Sequence, residues 1–279
     1  MDKAIQIQYD HLFEKKCKFA SIAGFDCISV NFSGMVDKTE DDWKKAVDDI
    51  QRILAENKLF CHQSHPYYYS LLLSMENTED RFEFAIESAI KASGLLGAGW
   101  VALHPRSAIS DGYSNRKAIV GNRDVFSKYL EIAKKYNTGI AIENLPTFNG
   151  LVPIAPFFSS DPEDLMELVD SFNDKSVGVC WDTGHANLMR MNQPLKIRMM
   201  GDRIKCTHIH NNGHKDDDHL PPDQGDINWE EIMRAFRDIN YKGALTLETH
   251  CRYEHDIMLQ SFAKHNLECL KYLEWLFNN

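Results

Sequence analysis

Residues 177–187 read Val-Gly-Val-Cys-Trp-Asp-Thr-Gly-His-Ala-Asn, an apolar run rich in β-formers that stops abruptly at the polar cluster Asp182, Thr183 and His185. Such a run predicts a buried strand whose last residue stands at the rim of a sheet. The same pattern recurs on either side. GIAIENLP (139–146) ends its apolar run on Glu143, KCTHIHNN (205–212) on His210, and GALTLETH (243–250) on Glu248. The four residues are separated by 39, 28 and 38 positions, each close to the length of one strand–helix unit. Four successive strands therefore present one ligand-type residue each at the same end of a parallel sheet.

The rest of the chain follows the same alternation. Eight strand candidates are Ala4–Gln8, Cys27–Phe32, Leu59–His62, Trp100–His104, Thr138–Glu143, Val177–Asp182, Arg203–His210 and Ala244–Glu248. Between them, residues 41–57 carry one apolar stripe of Trp43, Ala46, Val47, Ile50, Ile53 and Leu54, and residues 78–96, 125–136, 162–172, 229–239 and 257–277 also have helical period. Eight strand–helix units predict an α/β fold, the closed (β/α)₈ TIM barrel, over a single domain spanning residues 1–279. Gly150–Ser160, apolar and containing Pro153 and Pro156, is expected to be a long active-site loop.

Composition narrows the function classes. A formal charge of −10 disfavours a dedicated nucleic-acid coat or an anionic membrane surface as partner. No apolar run approaches the ~18 residues of a membrane span, and the start does not resemble a signal peptide, so a cytoplasmic location is expected. The seven cysteines never form C-x-x-C, which argues against a disulfide framework or a thiolate zinc site. Phosphate-loop, dinucleotide and hydrolase-elbow motifs are absent.

In a barrel the C-terminal rim is where active sites sit, and three carboxylates converging there repel one another unless a cation lies between them. Glu143, Asp182, His210 and Glu248 are thus candidate metal ligands, and their mixed oxygen and nitrogen donors suit Mn²⁺, Co²⁺, Zn²⁺ or Mg²⁺. His65, His104 and His185 extend the set, as do Asp217 and His219 in DDDHLPPDQGD as candidates for additional metal. In the His208-Ile209-His210 triplet, strand alternation puts both imidazoles on one face, with His210 nearer the rim. His62 and His208 are read as packing residues. Trp181, together with Asn31, Trp100, Phe148 and Trp229, is a candidate to line a substrate pocket through aromatic stacking.

The strand-end pattern IEN, DTGHAN, HIHNN with DDDHLPPDQGDINW, and LTLETH resembles the xylose isomerase-like barrel superfamily, above all its sugar phosphate isomerase/epimerase group. The resemblance covers essentially the whole chain and is strongest over residues 100–250. It implies a metal held by Glu143, Asp182, His210 and Glu248, an acid/base pair formed by Glu143 and Glu248, and substrate contact by His185, with His65, His104 and Trp181 as further substrate-binding candidates. The same superfamily contains endonuclease IV, and His62 or His65, His104, His185, Asp217 and His219 are similar to the extra residues of its three-zinc site. One departure stands out: ketose 3-epimerases carry an arginine six residues after the metal histidine, where this chain has Asp216. The expected activity is metal-dependent isomerisation or epimerisation of a sugar or polyol through an enediolate, with dehydration of a polyol ketone and zinc phosphoester hydrolysis as alternatives. The expected partner is a small-molecule sugar or polyol, with no nucleic acid and no membrane, and with a homo-oligomer left open.

Overall fold

The structure is a computed structural model that describes residues 1–67, 79–106, 115–149, 152–153 and 158–279. Eight parallel strands form the barrel: β1 (Lys3–Gln8), β2 (Cys27–Asn31), β3 (Phe60–His65), β4 (Trp100–Leu103), β5 (Gly139–Glu143), β6 (Val177–Asp182), β7 (Ile204–His208) and β8 (Leu245–Leu247). β1 to β7 pair in sequence order, and β8 pairs back onto β1 through Ile5↔Leu247. Beyond the end of β7, Ile209 completes the ring: its N–H donates to the Thr246 carbonyl at 2.8 Å and its carbonyl accepts from the Glu248 N–H at 3.0 Å. The helices are α1 (Phe13–Ala23), α2 (Glu40–Asn57), α3 (Glu79–Leu95), α4 (Asn115–Lys135), α5 (Pro162–Phe172), α6 (Thr183–Leu188), α7 (Gln193–Met200), α8 (Trp229–Asp238) and α9 (Asp256–Asn278).

Strand alternation divides the core into two layers. Outward-facing Val101, Leu103, Ile140, Ile142, Val179 and Trp181 join the helix stripes in one large apolar cluster. Inward-facing Ala102, Ala141, Cys180 and Cys206 are small and fill the barrel axis. Gln63, also on the inward face, donates to the Thr207 carbonyl at 3.3 Å and accepts from the Thr246 hydroxyl at 3.0 Å, tying three strands together inside the barrel. Side chains that follow on the inward face reach the C-terminal mouth.

Local chemistry explains the element ends. Thr39 and Asp42 form a reciprocal capping box that starts α2, and Asp161 caps α5 with Pro162 in its first turn. Two expectations are corrected. The third strand is not Leu59–His62 but Phe60–His65, and the polar residues Gln63, Ser64 and His65, all buried, had concealed its second half. Helices α1, α6 and α7 stand in addition to those that the apolar periodicity predicts. The expected loop at 150–160 is described only at 152–153 and 158–160, its remaining residues lying outside the described residues. Among the described residues, no helix is long and apolar enough to cross a membrane.

Candidate active site

Glu143 ends β5 and is 1% exposed. Its Oε2 lies 3.4 Å from His65 Nε2, 3.4 Å from His104 Nε2 and 3.2 Å from His208 Nδ1, while Oε1 lies 3.2 Å from His185 Nδ1. Burial alone would raise its pKa. The surrounding imidazoles, His208 foremost and then His104, outweigh that effect and hold the carboxyl well below the ordinary range.

Asp182 ends β6 and begins α6 at once. Its Oδ1 accepts from the His185 N–H at 2.6 Å, capping the helix, while His210 Nε2 lies 3.0 Å from the same carboxylate. Asn144, immediately after Glu143, brackets Asp182 by accepting its N–H at 2.7 Å and donating to its carbonyl at 2.9 Å. The backbone carbonyl of Asn144 also takes a hydrogen bond from His185 Nδ1 at 2.9 Å. One amide side chain and its peptide therefore fix the relative placement of Glu143, Asp182 and His185.

His185 turns its other nitrogen toward Asp217, with Nε2 3.2 Å from Oδ2, and the same oxygen lies 3.2 Å from His219 Nε2. Burial would lower the His185 pKa, but Asp182 and Asp217 raise it well above the usual imidazole value. His219 donates from Nδ1 to the Glu248 carbonyl at 2.7 Å and stacks on His210 at 4.1 Å between ring centroids. Against the opposing effect of burial, Asp217 and Glu248 push its pKa up to about 9.

Glu248 lies against His208, its Oε2 3.2 Å from the same Nδ1 that approaches Glu143. Burial raises its pKa, but His208 and His219 bring it down to about 2. His208 itself, opposed by burial and supported by Glu248 and Glu143, is pushed up to about 10.

The structure thus gathers His65, His104, Glu143, Asp182, His185, His210, Asp217, His219 and Glu248 at one mouth. It does not bring Trp181 there. The Trp181 indole is fully buried in the helix-facing layer and donates to Gln193 Oε1 at 3.3 Å, so the expectation of substrate contact is corrected by strand parity. His208 is corrected in the opposite sense, from a packing residue to the group lying between both glutamates. The alternation in His208-Ile209-His210 carried that signal. His62 keeps its structural role, with Nε2 accepting from the Ala244 N–H at 3.2 Å. Asn144 had no signal beyond its place after Glu143. The side chain of Phe148 lies outside the described residues.

Whether these residues fit a cation is answered by their unmet polar atoms. Glu143 Oε2, both His208 nitrogens, His210 Nδ1, Asp217 Oδ1 and Glu248 Oε2 are buried and make no directed hydrogen bond, although His208 Nδ1 stands at ion-pair distance from both glutamates. An unsatisfied buried polar group costs about 1–3 kcal/mol, so several in one place call for a ligand that satisfies them together. Donor atoms converge within reach of a single ion in the groups His65, His104 and Glu143; Asp182, His185 and His210; and His210, His219 and Glu248. The arrangement fits divalent-metal coordination.

The sequence profile of the xylose isomerase-like TIM barrel family matches residues 17–273. The chain belongs to that family. A protein of Methanocaldococcus jannaschii is 32% identical over 167 residues, covering 58% of this chain and 55% of its own length. D-psicose 3-epimerase of Enterocloster bolteae is 29% identical over 156 residues, covering 55% of this chain and 47% of that enzyme. The chain thus spans about half the length of these curated relatives. Among solved structures, a D-tagatose 3-epimerase-like protein superposes with a TM-score of 0.73 at 22% identity, covering 100% of this chain and 98% of that one. D-psicose 3-epimerase in the presence of D-fructose superposes with a TM-score of 0.76 at 16% identity, covering both chains completely. Similarity at these identities establishes the fold.

Proposed function

We propose that this chain is a divalent-metal-dependent isomerase or epimerase of a sugar or polyol, phosphorylated or not. The observation that carries this reading is the pair of buried glutamates, Glu143 and Glu248, lying against one nitrogen of His208 beside Asp182 and His210. Moving a proton off and onto a carbon beside a carbonyl requires a base and an acid on a rigid frame, and two carboxylates on different barrel strands meet that need. The similarity to D-psicose 3-epimerase supports the same reaction class.

A cation held by Glu143, Asp182, His210 and Glu248 would supply Lewis-acid polarisation of the substrate carbonyl. One glutamate takes the proton from the adjacent carbon, leaving an enediolate. The other returns a proton from the opposite face in an epimerisation; return to the neighbouring carbon gives isomerisation. His185, fixed by the Asn144 carbonyl at Nδ1 and by Asp217 Oδ2 at Nε2, would stabilise the developing oxyanion through the positive charge it holds beside Glu143. His65 and His104 line the side of Glu143 and are suited to bind substrate hydroxyls. Asp216, exposed where ketose 3-epimerases carry an arginine, points away from a free-ketose 3-epimerase and leaves another sugar or polyol, or dehydration of a polyol ketone, open to the same first step.

The test is solvent exchange. Metal-loaded protein in D₂O, offered ketoses, aldoses, their phosphates and inososes, is expected to exchange one carbon-bound proton of its substrate. Glu143→Gln and Glu248→Gln are each expected to slow that exchange by ~10²- to 10⁴-fold, and His185→Ala by roughly 10²- to 10³-fold. A true substrate turned over without exchange, with both glutamine variants fully active, would sink the mechanism.

A second reading, a multinuclear metal phosphoesterase similar to endonuclease IV, is favoured by the additional donors His65 and His104 on Glu143 and by Asp217 between His185 and His219. Elemental analysis distinguishes the two: about one tightly held ion at the mouth supports the isomerase, whereas three zinc ions there and cleavage of abasic-site DNA dependent on His104 and Asp217 support the phosphoesterase. The net charge of −10 disfavours a nucleic-acid substrate.

A further inference from the structure

Three donors of unlike chemistry also meet on the outer face of the barrel, where the loop between β7 and α8 touches α9. Asp223 comes from the loop, and His265 and Cys269 stand four residues apart on α9, so one helical turn sets both on the same stripe. His265 Nε2 lies 3.0 Å from Asp223 Oδ1, Cys269 Sγ 3.4 Å from the same oxygen, and Cys269 Sγ 3.8 Å from His265 Nε2. A tetrahedral zinc ion with oxygen and nitrogen near 2.0–2.1 Å and sulfur near 2.3 Å keeps its ligand atoms roughly 3.3–3.6 Å apart. The observed triangle departs from one face of that tetrahedron by only a few tenths of an ångström. Asp223 and His265 are about half exposed while Cys269 is buried, which leaves the fourth position facing solvent.

We propose that Asp223, His265 and Cys269 form a peripheral Zn²⁺ site that shares no residue with the barrel mouth. The sulfur donor selects against Mg²⁺ and Ca²⁺, and the mixed sulfur, nitrogen and oxygen set suits Zn²⁺ or Co²⁺. Burial, with Asp223 adding to it, holds the Cys269 thiol up to about 12. The ion therefore displaces a thiol proton on binding, and affinity rises with pH.

Position gives the site a consequence. Pro222, adjacent to Asp223, has its carbonyl held by Asn211 Nδ2 at 3.0 Å and by Trp229 Nε1 at 2.7 Å. Asn211 directly follows His210, and the segment between Asn211 and Pro222 carries Asp217 and His219. An ion on Asp223 fastens to the C-terminal helix the loop that delivers two donors to the mouth.

The test uses the full chain under reducing conditions, stripped of metal and titrated with Co²⁺ as a spectroscopic substitute for Zn²⁺. A thiolate-to-cobalt charge-transfer absorption is expected in the near ultraviolet. It should vanish in Cys269→Ser and persist in Cys180→Ala, which removes the sulfur beside Glu143 and His208. After loading with Zn²⁺, Cys269→Ser and Asp223→Ala should each carry one ion fewer than the wild type, with the mouth ions retained in all three. Asp223 is exposed, so its truncation keeps the measurement meaningful should the cysteine variant fold poorly. Zinc content equal in the wild type and Asp223→Ala, or an absorption that survives Cys269→Ser, would overturn the proposal.

Discussion

Gly184 decides how close α6 approaches the end of β7. A Cβ added there would fall 1.9 Å from His210 Cε1 and 2.2 Å from its Nδ1, so the imidazole occupies the space a side chain would need. Gly184→Ala is therefore expected to displace His210 and lower the metal held at the mouth, read by elemental analysis, while the far-ultraviolet spectrum stays that of the folded barrel. Undiminished metal content would show that His210 is not a ligand. Trp181 gives the complementary case. Trp181→Phe removes the hydrogen bond to Gln193 and should lower stability by about 1 kcal/mol, with some added packing loss, and leave KM unchanged; a raised KM with unchanged stability would return the indole to the substrate pocket. At this scale the strand-end carboxylates were legible because each interrupts an apolar run, whereas the direction of Trp181 depends on strand parity relative to Asp182. The role of His208 is not legible in the sequence because its chemistry lies in what it touches, two glutamates 105 positions apart in the chain.

Helix α6 shows how one element serves both architecture and chemistry. It has six residues, all buried, and Asp182 is both its N-cap and a candidate ligand. The two roles separate by substitution. Asn retains an oxygen that can accept the His185 N–H, so Asp182→Asn should keep thermal stability near that of the metal-free wild type while weakening metal binding, with excess Mn²⁺ restoring part of the activity. Asp182→Ala loses the cap as well and should cost a further ~0.5–2 kcal/mol, measured by denaturant unfolding of the metal-free proteins. Equal stability of the two variants would mean that the cap contributes nothing. Elements with a continuous apolar stripe, such as α2, were legible from periodicity. Helix α1 was not, because Lys15, Lys16 and Lys18 interrupt its buried set of Phe13, Cys17, Phe19 and Ala20. The end of β3 was hidden for a related reason: an inward residue there meets the polar interior of the mouth, so the hydrophobic signal fades where the site begins.

For the molecule as a whole, the mouth couples stability to pH in a way that a bound cation should reverse. In the metal-free protein His208 is raised from 6.5 to about 10 and His219 to about 9, while Glu248 is lowered to about 2. Raised histidines contribute stability that is complete below pH 6.5, where folded and unfolded chains bind the same protons. That contribution is lost as pH rises through 9 and 10, because the unfolded chain has already released protons that the folded one retains. The lowered glutamate acts on the opposite side, contributing above pH 4.5 and losing its effect as pH falls toward 2. The Tm of the metal-free protein should therefore fall between pH 6.5 and 10 more than its surface charges alone would bring about. A cation held by Glu143 and Glu248 takes over the charge that protonated His208 and His219 place beside those carboxylates, so loading is expected to expel these protons and its stabilisation to grow with pH. Scanning calorimetry at pH 6.5, 8 and 9.5, with chelator and with excess divalent metal, should show a gap in Tm that widens toward alkaline pH. A constant gap, or a metal-free Tm that stays flat over this range, would mean that the buried histidines are neutral without metal and that the mouth is held together by packing rather than by charge.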